Sequence, residues 1–374
     1  MASSLVASLV LGLAAGPDVA SATMVGPYFQ VAAQVNGRPL KFIVDTGAGL
    51  TCLTPQGALA AGISGGTPVR ANGAGGKVIS AKLVKVDSVK IGQSEVSGEQ
   101  AVVIDLPPAL RCDGLVGYSF LKHFVTSFDY SASSLTFATP SEFQPHPEDK
   151  PADLLVKSNH PHIRAKAAGK EGFFVFDTGA GGSLTLHTPF VEANKLREAF
   201  PSRVTRITGK GVGGYVRGDV TTLPEVSIAG FRLFSVPTVL AGRDAGALSA
   251  SDSFGNIGAD IIRRFIMTLD YGRGKAWFRP SPLFSDAFDQ DRSGLFIDFD
   301  EGRSWVADVV PGSPADLAGV KVDDEVISIN GVKVSEGHPL EVRKPLRGPV
   351  GSKVTLVLKR AGKKVSAVVG LKNL

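Results

Sequence analysis

The 374-residue sequence predicts an all-β, bilobal protein with pseudo-twofold symmetry, followed by a small α+β domain. Three observations support this fold class. The composition, with 44 glycines, 23 prolines and only 20% charged residues, is typical of a turn-rich globular protein with many strands. One long pattern occurs twice along the chain, and the segment after residue 293 has a different set of motifs.

The duplication extends over two ordered blocks. Residues 42–49 (FIVDTGAG) recur as residues 174–181 (FVFDTGAG) at an offset of 132. A second block, residues 114–117 (GLVG), recurs as residues 255–258 (GNIG) at an offset of 141. Two blocks that repeat in the same order indicate a duplicated lobe instead of a chance tripeptide.

Each copy has the periodicity of short strands. Residues 28–35, the Asn36-Gly37 turn and residues 40–44 predict a hairpin that ends at Asp45. Residues 162–167 and 173–176 predict the same arrangement before Asp177. Helices are expected at 121–125 and 261–266, each followed by a strand.

Stretches rich in proline and charge divide the chain into units. They predict a first lobe at 26–139, a linker at 140–152, a second lobe at 153–280, a linker at 281–292 and a last domain at 293–374. Residues 1–22 are expected to be a signal peptide, because an apolar stretch at 5–15 precedes the small residues Ala20-Ser21-Ala22, although no lysine or arginine comes before it. The protein is therefore expected to be exported, to the periplasm or outside the cell.

Composition also argues against a nucleic-acid partner. The formal charge is +5, but the 40 basic and 35 acidic residues are interspersed and form no basic run. The two cysteines, Cys52 and Cys112, are a possible disulfide in an oxidising compartment, and two buried free thiols are the alternative.

The two Asp-Thr-Gly blocks, each after an apolar strand and each followed by an apolar block ending in glycine, resemble the pepsin and retroviral-protease clan of aspartic peptidases over residues 26–280. The compact lobes are similar to the retropepsin-like branch, here with two lobes in one chain acting as a monomeric unit. The resemblance implies that Asp45 and Asp177 are the catalytic pair. The implied loop-supporting residues are Thr46, Gly47, Ala48, Thr178, Gly179 and Ala180.

Two adjacent carboxyl groups suit peptide-bond hydrolysis, since they cannot both ionise and so provide an acid and a base around one water. No metal or cofactor is expected. The sequence thus predicts an aspartic endopeptidase acting on exported proteins; the alternatives are two ordinary Asp-Gly turns, or a non-catalytic peptide-binding scaffold derived from such a protease.

Flexible flaps are expected over the catalytic pair, at the glycine-rich residues 72–77 and 208–215. The candidate flap residues are Gly75, Gly76, Gly213, Gly214 and Tyr215. Tyr215 is the candidate for the flap tyrosine found in pepsin-type enzymes, and an ordinary strand aromatic is the alternative reading.

The last domain resembles a bacterial PDZ domain through residues 294–297 (GLFI), 309–315 (VVPGSPA), 323–327 (DDEVI) and 329–331 (ING). The resemblance implies binding of peptide C-termini by a carboxylate loop. The candidate loop residues are Arg292, Ser293, Gly294, Leu295, Phe296 and Ile297. Pro345 is expected to shorten the groove helix at 340–346, and a domain that only packs against the lobes is the alternative.

Overall fold

The computed structural model describes residues 10–11, 17–242, 246–288, 290–300 and 302–374. Within these ranges the predicted fold class is confirmed, because two strand-rich lobes precede a smaller α+β domain.

The first lobe consists of short strands with a few single-turn helices. Its elements are β1 (Val10–Leu11), β2 (Asp18–Ser21), β3 (Thr23–Val25), β4 (Tyr28–Val35), β5 (Arg38–Val44), β6 (Thr51–Leu53), α1 (Pro55–Ala60), β7 (Thr67–Asn72), β8 (Val78–Lys85), β9 (Ser88–Ile91), β10 (Ser94–Ser97), β11 (Gln100–Val103), the 3-10 turn η1 (Pro108–Leu110), β12 (Gly114–Val116), α2 (Tyr118–Leu121), β13 (Val125–Asp129) and β14 (Ser134–Ala138).

The second lobe repeats this order. Its elements are β15 (Lys150–Lys157), β16 (His160–Ala167), β17 (Lys170–Asp177), β18 (Leu184–Leu186), α3 (Thr188–Ala193), α4 (Leu196–Ala199), β19 (Val204–Gly211), β20 (Gly214–Ile228), β21 (Phe231–Ala241), η2 (Gly246–Ser249), β22 (Gly255–Gly258), α5 (Ala259–Ile262), β23 (Phe265–Asp270) and β24 (Lys275–Pro280).

The last domain has its own sheet, in the order β25-β26-β27-β29-β30. Its elements are β25 (Leu295–Asp300), β26 (Arg303–Val309), α6 (Pro314–Leu317), β27 (Glu325–Ile329), β28 (Val332–Lys333), α7 (Pro339–Val342), the 3-10 turn η3 (Lys344–Arg347), β29 (Lys353–Arg360) and β30 (Lys363–Gly370). The groove helix α7 ends before Pro345, as the sequence predicts, because proline removes a backbone donor from the helix interior.

In both lobes a hairpin ends at the Asp-Thr-Gly loop, and a later strand runs beside it. β12 lies parallel to β5 and antiparallel to β6, and β22 lies in the same way between β17 and β18. Leu115 is opposite Ile43, whereas Asn256 is opposite Val175. Positions 115 and 256 are therefore structurally equivalent.

The lobes join through a shared antiparallel sheet in the order β15-β24-β23-β13-β14-β2. Strand β13 of the first lobe pairs with β23 of the second, and Ser127 is opposite Thr268. Their hydroxyl oxygens are 2.7 Å apart, and the two residues have the repeat offset of 141. The pseudo-twofold axis thus passes between β13 and β23.

The single-turn helices begin earlier than the sequence predicts. Both start directly after a glycine in extended conformation, at Gly117 and Gly258, and both end before the expected segments do. The prediction of helices at 121–125 and 261–266 was wrong because Val125 and Phe265 already belong to the strands that pair across the lobes. Residues 150–152, expected in the linker, likewise pair in β15.

Residues expected at the end of the signal peptide form part of the shared sheet. Ala20 of β2 is opposite Leu135 of β14. The Asp18 carboxylate, also in β2, accepts hydrogen bonds from the backbone N–H groups of Gln93 and Ser94. Cleavage after Ala22 would remove this strand. Apart from β1, the apolar stretch at 5–15 lies outside the described residues, so export stays a prediction. Across the described ranges, no helix is long and apolar enough to cross a membrane.

One contiguous hydrophobic core extends through both lobes, and a second lies inside the last domain. Phe29, Phe128 and Phe137 from the first lobe belong to the same cluster as Phe176 and Phe278 from the second. Burial of these large apolar groups is the main stabilising contribution. The two lobes therefore pack as one unit, and the last domain has a core of its own.

Candidate active site

The two Asp-Thr-Gly loops are held together by reciprocal hydrogen bonds. The Thr46 hydroxyl donates to the Phe176 carbonyl at 2.6 Å and accepts from the Thr178 backbone at 3.0 Å. The Thr178 hydroxyl makes the symmetric pair, donating to the Val44 carbonyl at 2.9 Å and accepting from the Thr46 backbone at 3.0 Å. Both threonines are fully buried, so these four bonds fix the loops relative to each other.

Each loop glycine lets the opposite aspartate approach. A Cβ atom on Gly47 would overlap the carboxyl group of Asp177, and one on Gly179 would overlap that of Asp45. The Gly47 and Gly179 backbones each donate to the aspartate of their own loop, at 2.8 and 3.0 Å. The structure thus brings the two predicted catalytic carboxyl groups into contact with each other.

The electrostatic environment keeps a proton on this pair. Burial raises the pKa of Asp45 well above its usual range, and the neighbouring Asp177 charge raises it further. Backbone donation from Gly47 acts in the opposite direction but is smaller. The Asp45 and Asp177 carboxyl groups also hydrogen-bond to each other. One proton shared by two adjacent carboxyl groups is the state that acid-base chemistry needs.

Asp177 has a side-chain partner that the sequence analysis did not single out. The Asn256 amide nitrogen donates to the Asp177 carboxylate at 2.8 Å. The amide oxygen of Asn256 lies 2.7 Å from the ring of His187, whose other nitrogen lies 3.1 Å from the Ser253 hydroxyl. The signal in the sequence was the asparagine within an otherwise apolar block, where the first copy has Leu115.

Both predicted flaps are hairpins, and their tips meet. The first is formed by β7 and β8, the second by β19 and β20. The Gly75 backbone donates to the Val212 carbonyl at 2.9 Å, and a Cβ atom on Gly75 would overlap the backbone of Gly213 and Gly214. Gly76 has a positive φ of 81°, which suits a tight turn. The candidate flap glycines therefore lie at one contact between the lobes.

Tyr215 points away from the flap tip toward the last domain. Its hydroxyl donates to Asp298 at 2.6 Å, and its ring lies edge-on against Phe296 at 5.9 Å between centroids. Lys210 reaches the same Asp298 oxygen at 2.8 Å. The second flap is thus attached to the last domain, which is a contact that the sequence did not reveal.

The structure differs from the expected carboxylate loop. The backbone of Ser293 and Gly294 donates to the Asp291 side chain at 3.2 and 2.8 Å, and the Leu295 backbone donates to the Ser293 hydroxyl at 3.1 Å. These donors are therefore already occupied within the domain. Phe296 and Ile297 belong to β25, where Phe296 packs against Tyr215.

Arg292, the candidate charge for a peptide carboxylate, is also engaged within the domain. Its guanidinium donates to the carbonyls of Arg347 and Gly348 at 3.0 and 3.3 Å, and to the side chain of Asn373 at 3.4 Å. The arginine thus ties the loop to η3 and the end of the chain.

The possible disulfide is absent, since Cys52 and Cys112 are both free thiols. Burial raises the pKa of each thiol to about 12, with a smaller contribution from nearby negative charge. Because the thiolate is the nucleophile, we expect little alkylation of the native protein and two modified cysteines after denaturation. Mass spectrometry after iodoacetamide treatment measures this, and a protein with no reactive thiol after denaturation would show the disulfide instead.

Ala48 and Ala180 provide no hydroxyl beside the pair of aspartates, where the pepsin branch commonly has serine. A serine hydroxyl would favour the ionised carboxylate. We therefore expect the double substitution Ala48→Ser with Ala180→Ser to move the acid limb of the activity profile to lower pH. The measurement is kcat/KM against pH on one peptide; an unchanged or alkaline-shifted limb would contradict this explanation.

Comparisons with known proteins agree with the architecture. The first lobe matches the family model for aspartyl proteases over residues 31–120, and the last domain matches the model for PDZ domains over residues 305–360. Among the described residues, no cluster of histidine, cysteine, aspartate or glutamate could hold a metal ion.

Among solved structures, a retropepsin-like aspartic protease from Rickettsia conorii is 25% identical, with a TM-score of 0.26, over 35% of this chain and 92% of its own. Basic 7S globulin from soybean is 10% identical, with a TM-score of 0.43, over 72% of this chain and 96% of its own. With TM-scores this low, neither similarity carries an argument about function.

Curated relatives match over short segments, and two of them illustrate this. The carboxy-terminal processing protease CtpA of Bacillus subtilis (strain 168) is 36% identical over 69 residues, which are 18% of this chain and 15% of that protein. The chloroplastic carboxyl-terminal-processing peptidase 3 of Arabidopsis thaliana is 41% identical over 68 residues, 18% of this chain and 13% of that protein. The chain therefore matches only a small part of the length of these relatives.

Proposed function

We propose that the protein is an aspartic endopeptidase that hydrolyses peptide bonds in protein substrates. The observation that carries this proposal is the contact between the Asp45 and Asp177 carboxyl groups, whose loops are fixed to each other by buried threonines. The match of the first lobe to the aspartyl protease family supports the same reaction class.

In this mechanism the ionised Asp177 takes a proton from a bound water, and the water oxygen attacks the peptide carbonyl carbon. The carbonyl oxygen receives the proton held by Asp45, so that a neutral gem-diol forms. Asp177 then returns its proton to the departing nitrogen, and Asp45 recovers a proton from a gem-diol hydroxyl as the C–N bond breaks. No group beyond the two carboxyls and water is needed.

A denatured protein mixture tests the proposal. New N-termini identified by mass spectrometry should accumulate with the wild-type protein and should be suppressed by a pepstatin-type inhibitor. A metal chelator and a serine-directed fluorophosphonate should leave the cleavage unchanged, which separates this activity from a contaminating protease. Cleavage that resists the pepstatin-type inhibitor but stops with either of the other reagents would refute it.

The alternative, a non-catalytic peptide-binding scaffold, shares the fold but has no need for two carboxyl groups in contact. Both aspartates, both threonines and both loop glycines are retained, which favours catalysis. A protein that binds unfolded substrates under all conditions without producing new N-termini would favour the scaffold.

We further infer an exported protein with a monomeric catalytic unit. Export is supported by the apolar stretch before Ala20, and the monomer by the pairing of β13 with β23 within one chain, which replaces a subunit interface. Cell fractionation tests the location, and light scattering coupled to gel filtration tests the mass.

A further inference from the structure

The two halves of the catalytic pair differ at one structurally equivalent position. Asn256 donates to Asp177 from the strand beside the loop, whereas Leu115 occupies the same place next to Asp45. An amide N–H donor stabilises a carboxylate and does little for a neutral carboxyl group that needs to donate its own proton. The asymmetry therefore distinguishes two aspartates whose loops are identical in sequence from Asp to the second Gly, at residues 45–49 and 177–181.

The orientation of the Asn256 amide is set by a further chain of contacts. Its oxygen can only accept, so the ring nitrogen of His187 at 2.7 Å must carry a proton. The other ring nitrogen then accepts from the Ser253 hydroxyl at 3.1 Å. Burial lowers the pKa of His187, which keeps the ring neutral.

We propose that Asn256, oriented by the buried His187, is a positioning residue that keeps Asp177 ionised as the base and leaves the shared proton on Asp45. The inference rests on the proposed peptidase activity. His187 stands at the start of α3, where the first lobe has Thr54 at the start of α1. The Thr54 hydroxyl caps its helix by accepting a hydrogen bond from the Gly57 backbone N–H, whereas the His187 side chain makes no capping hydrogen bond. The second lobe has thus exchanged a helix cap for a contact with the active site.

Other titratable groups close to the pair do not provide this asymmetry. Burial raises the pKa of each neighbouring tyrosine and cysteine, so all of them are neutral near pH 7. These neighbours, and the neutral His187, are the titratable groups that interact electrostatically with Asp45 or Asp177: Tyr28, Tyr130, Tyr271, Cys52, Cys112 and His187. Arg343 and Arg347 interact with Tyr28 and lower its pKa, in opposition to the effect of burial.

The test replaces Asn256 by the residue that the first lobe has at this position. In Asn256→Leu, loss of a charge-assisted hydrogen bond should move the acid limb of kcat/KM to higher pH by about one to two units. His187→Phe should shift the limb in the same direction by a smaller amount, because the amide is then free to rotate. Leu115→Val changes packing at the equivalent place without removing a donor, so its acid limb should coincide with that of the wild type.

A titration independent of turnover keeps this inference separate from the proposed function. In protein labelled with ¹³C at the aspartate carboxyl carbons, Asp45→Asn and Asp177→Asn assign the two signals. At neutral pH the wild-type spectrum should show the protonated carboxyl signal at Asp45 and the carboxylate signal at Asp177, and Asn256→Leu should make the two signals more alike. An Asn256→Leu protein whose titration and acid limb both coincide with those of wild type would overturn the inference, whether or not the protein hydrolyses peptides.

A second, independent observation concerns the PDZ groove, which lies between β25 and α7. The first-lobe turn η1 (Pro108–Leu110) contacts both of these elements, and Ala109 packs against the core of the PDZ domain. In PDZ domains a peptide ligand lies beside the corresponding strand and helix. A segment of the same chain, with the sequence Leu-Pro-Pro-Ala-Leu at 106–110, therefore occupies the ligand position.

The occupied groove is coupled to the second flap. Lys210 and Tyr215 both bind the buried carboxylate of Asp298, which is on β25. The Ile207 backbone donates to Asp308 of β26 at 2.7 Å. A PDZ domain fixed to the first lobe by η1 thus also fixes the flap of the second lobe, whose tip must move for a substrate to enter.

We infer that the PDZ groove accepts an internal, apolar, proline-containing peptide segment, and that the cis segment at 106–110 holds the second flap closed until such a peptide replaces it. The engagement of Ser293 and Gly294 by Asp291 supports an internal segment, because the donors for a terminal carboxylate are already used. The binding part of this inference does not depend on catalysis.

Substitution of the cis segment tests the coupling. In Ala109→Arg, a charged side chain at the apolar contact should free the groove, and amide hydrogen exchange across residues 205–217 should become at least about tenfold faster. A synthetic peptide of residues 105–111 should bind Ala109→Arg more tightly than wild type, and equally well with a free or an amidated C-terminus. Asp105→Ala, at an exposed position just before the segment, should exchange at the wild-type rate.

Three results would overturn the second inference. They are unchanged flap exchange in Ala109→Arg, failure of the peptide to bind that variant, and loss of binding on amidation, which would show recognition of chain ends. Thermal unfolding of Ala109→Arg monitors whether the fold is retained. If Ala109→Arg does not fold, Asp298→Asn in the otherwise unchanged protein weakens the contact with Lys210 and Tyr215 and should accelerate exchange in the same residues.

Discussion

Replacing either aspartate of the pair by asparagine is expected to lower kcat/KM by a factor on the order of 10³ or more. An amide has the shape of a carboxyl group but cannot exchange a proton with water or with the departing nitrogen. In the proposed mechanism, Asp45→Asn lacks the proton donor and Asp177→Asn lacks the base. Because the two carboxyl groups act on one water, each single substitution should remove most of the activity. Initial rates on one peptide measure it.

Stability measurements provide the control for these variants. Burial and the neighbouring charge raise the pKa of Asp45 in the folded protein, so its contribution to stability is present below the unfolded value near 3.8 and is lost as the pH rises through the folded pKa. Asparagine mimics the protonated form at every pH. Asp45→Asn should therefore be at least as stable as wild type at neutral pH, with the difference vanishing below about pH 4. An active variant, or one that unfolds at neutral pH, would contradict the assigned roles.

Much of the fold followed from the repeat in the sequence. The hairpins ending at Asp45 and Asp177, and the strands β12 and β22 beside them, were predictable because a buried strand followed by a glycine turn leaves a strong local pattern. The pairing of β13 with β23 was not, since the register between distant strands depends on the packing of both lobes. Strand β2 was missed because its composition also suits a cleavage site.

The site was predictable where its residues lie in the repeat and hidden where they depart from it. Asn256 differs from Leu115 in one aligned position, and only the structure shows that its amide reaches Asp177. His187 and Ser253 are far apart in sequence and meet only through the fold of the second lobe. The attachment of Tyr215 to Asp298 likewise joins residues from different domains, which no local pattern encodes.

Removal of the reciprocal threonine hydrogen bonds is expected to lower the stability of the protein strongly. Thr46→Val keeps the shape of the side chain but removes the hydroxyl, which leaves the Phe176 carbonyl and the Thr178 N–H buried without a partner. Each such group costs about 1–3 kcal/mol, so the free energy of unfolding should fall by about 2–6 kcal/mol. A typical domain has only about 5–15 kcal/mol in total.

The equivalent substitution in the second lobe and a control at another buried threonine test this prediction further. Thr178→Val removes the equivalent two bonds and should destabilise the protein by a similar amount, and the double variant, with four unpaired backbone groups, should not fold. Thr126 is as deeply buried, but its hydroxyl has no hydrogen-bond partner in the described part of the chain, so Thr126→Val should be neutral or stabilising. Urea unfolding of the four variants measures these differences. If Thr46→Val and Thr126→Val had the same free energy of unfolding, the hydrogen bonds of the loop threonines would make no net contribution to stability.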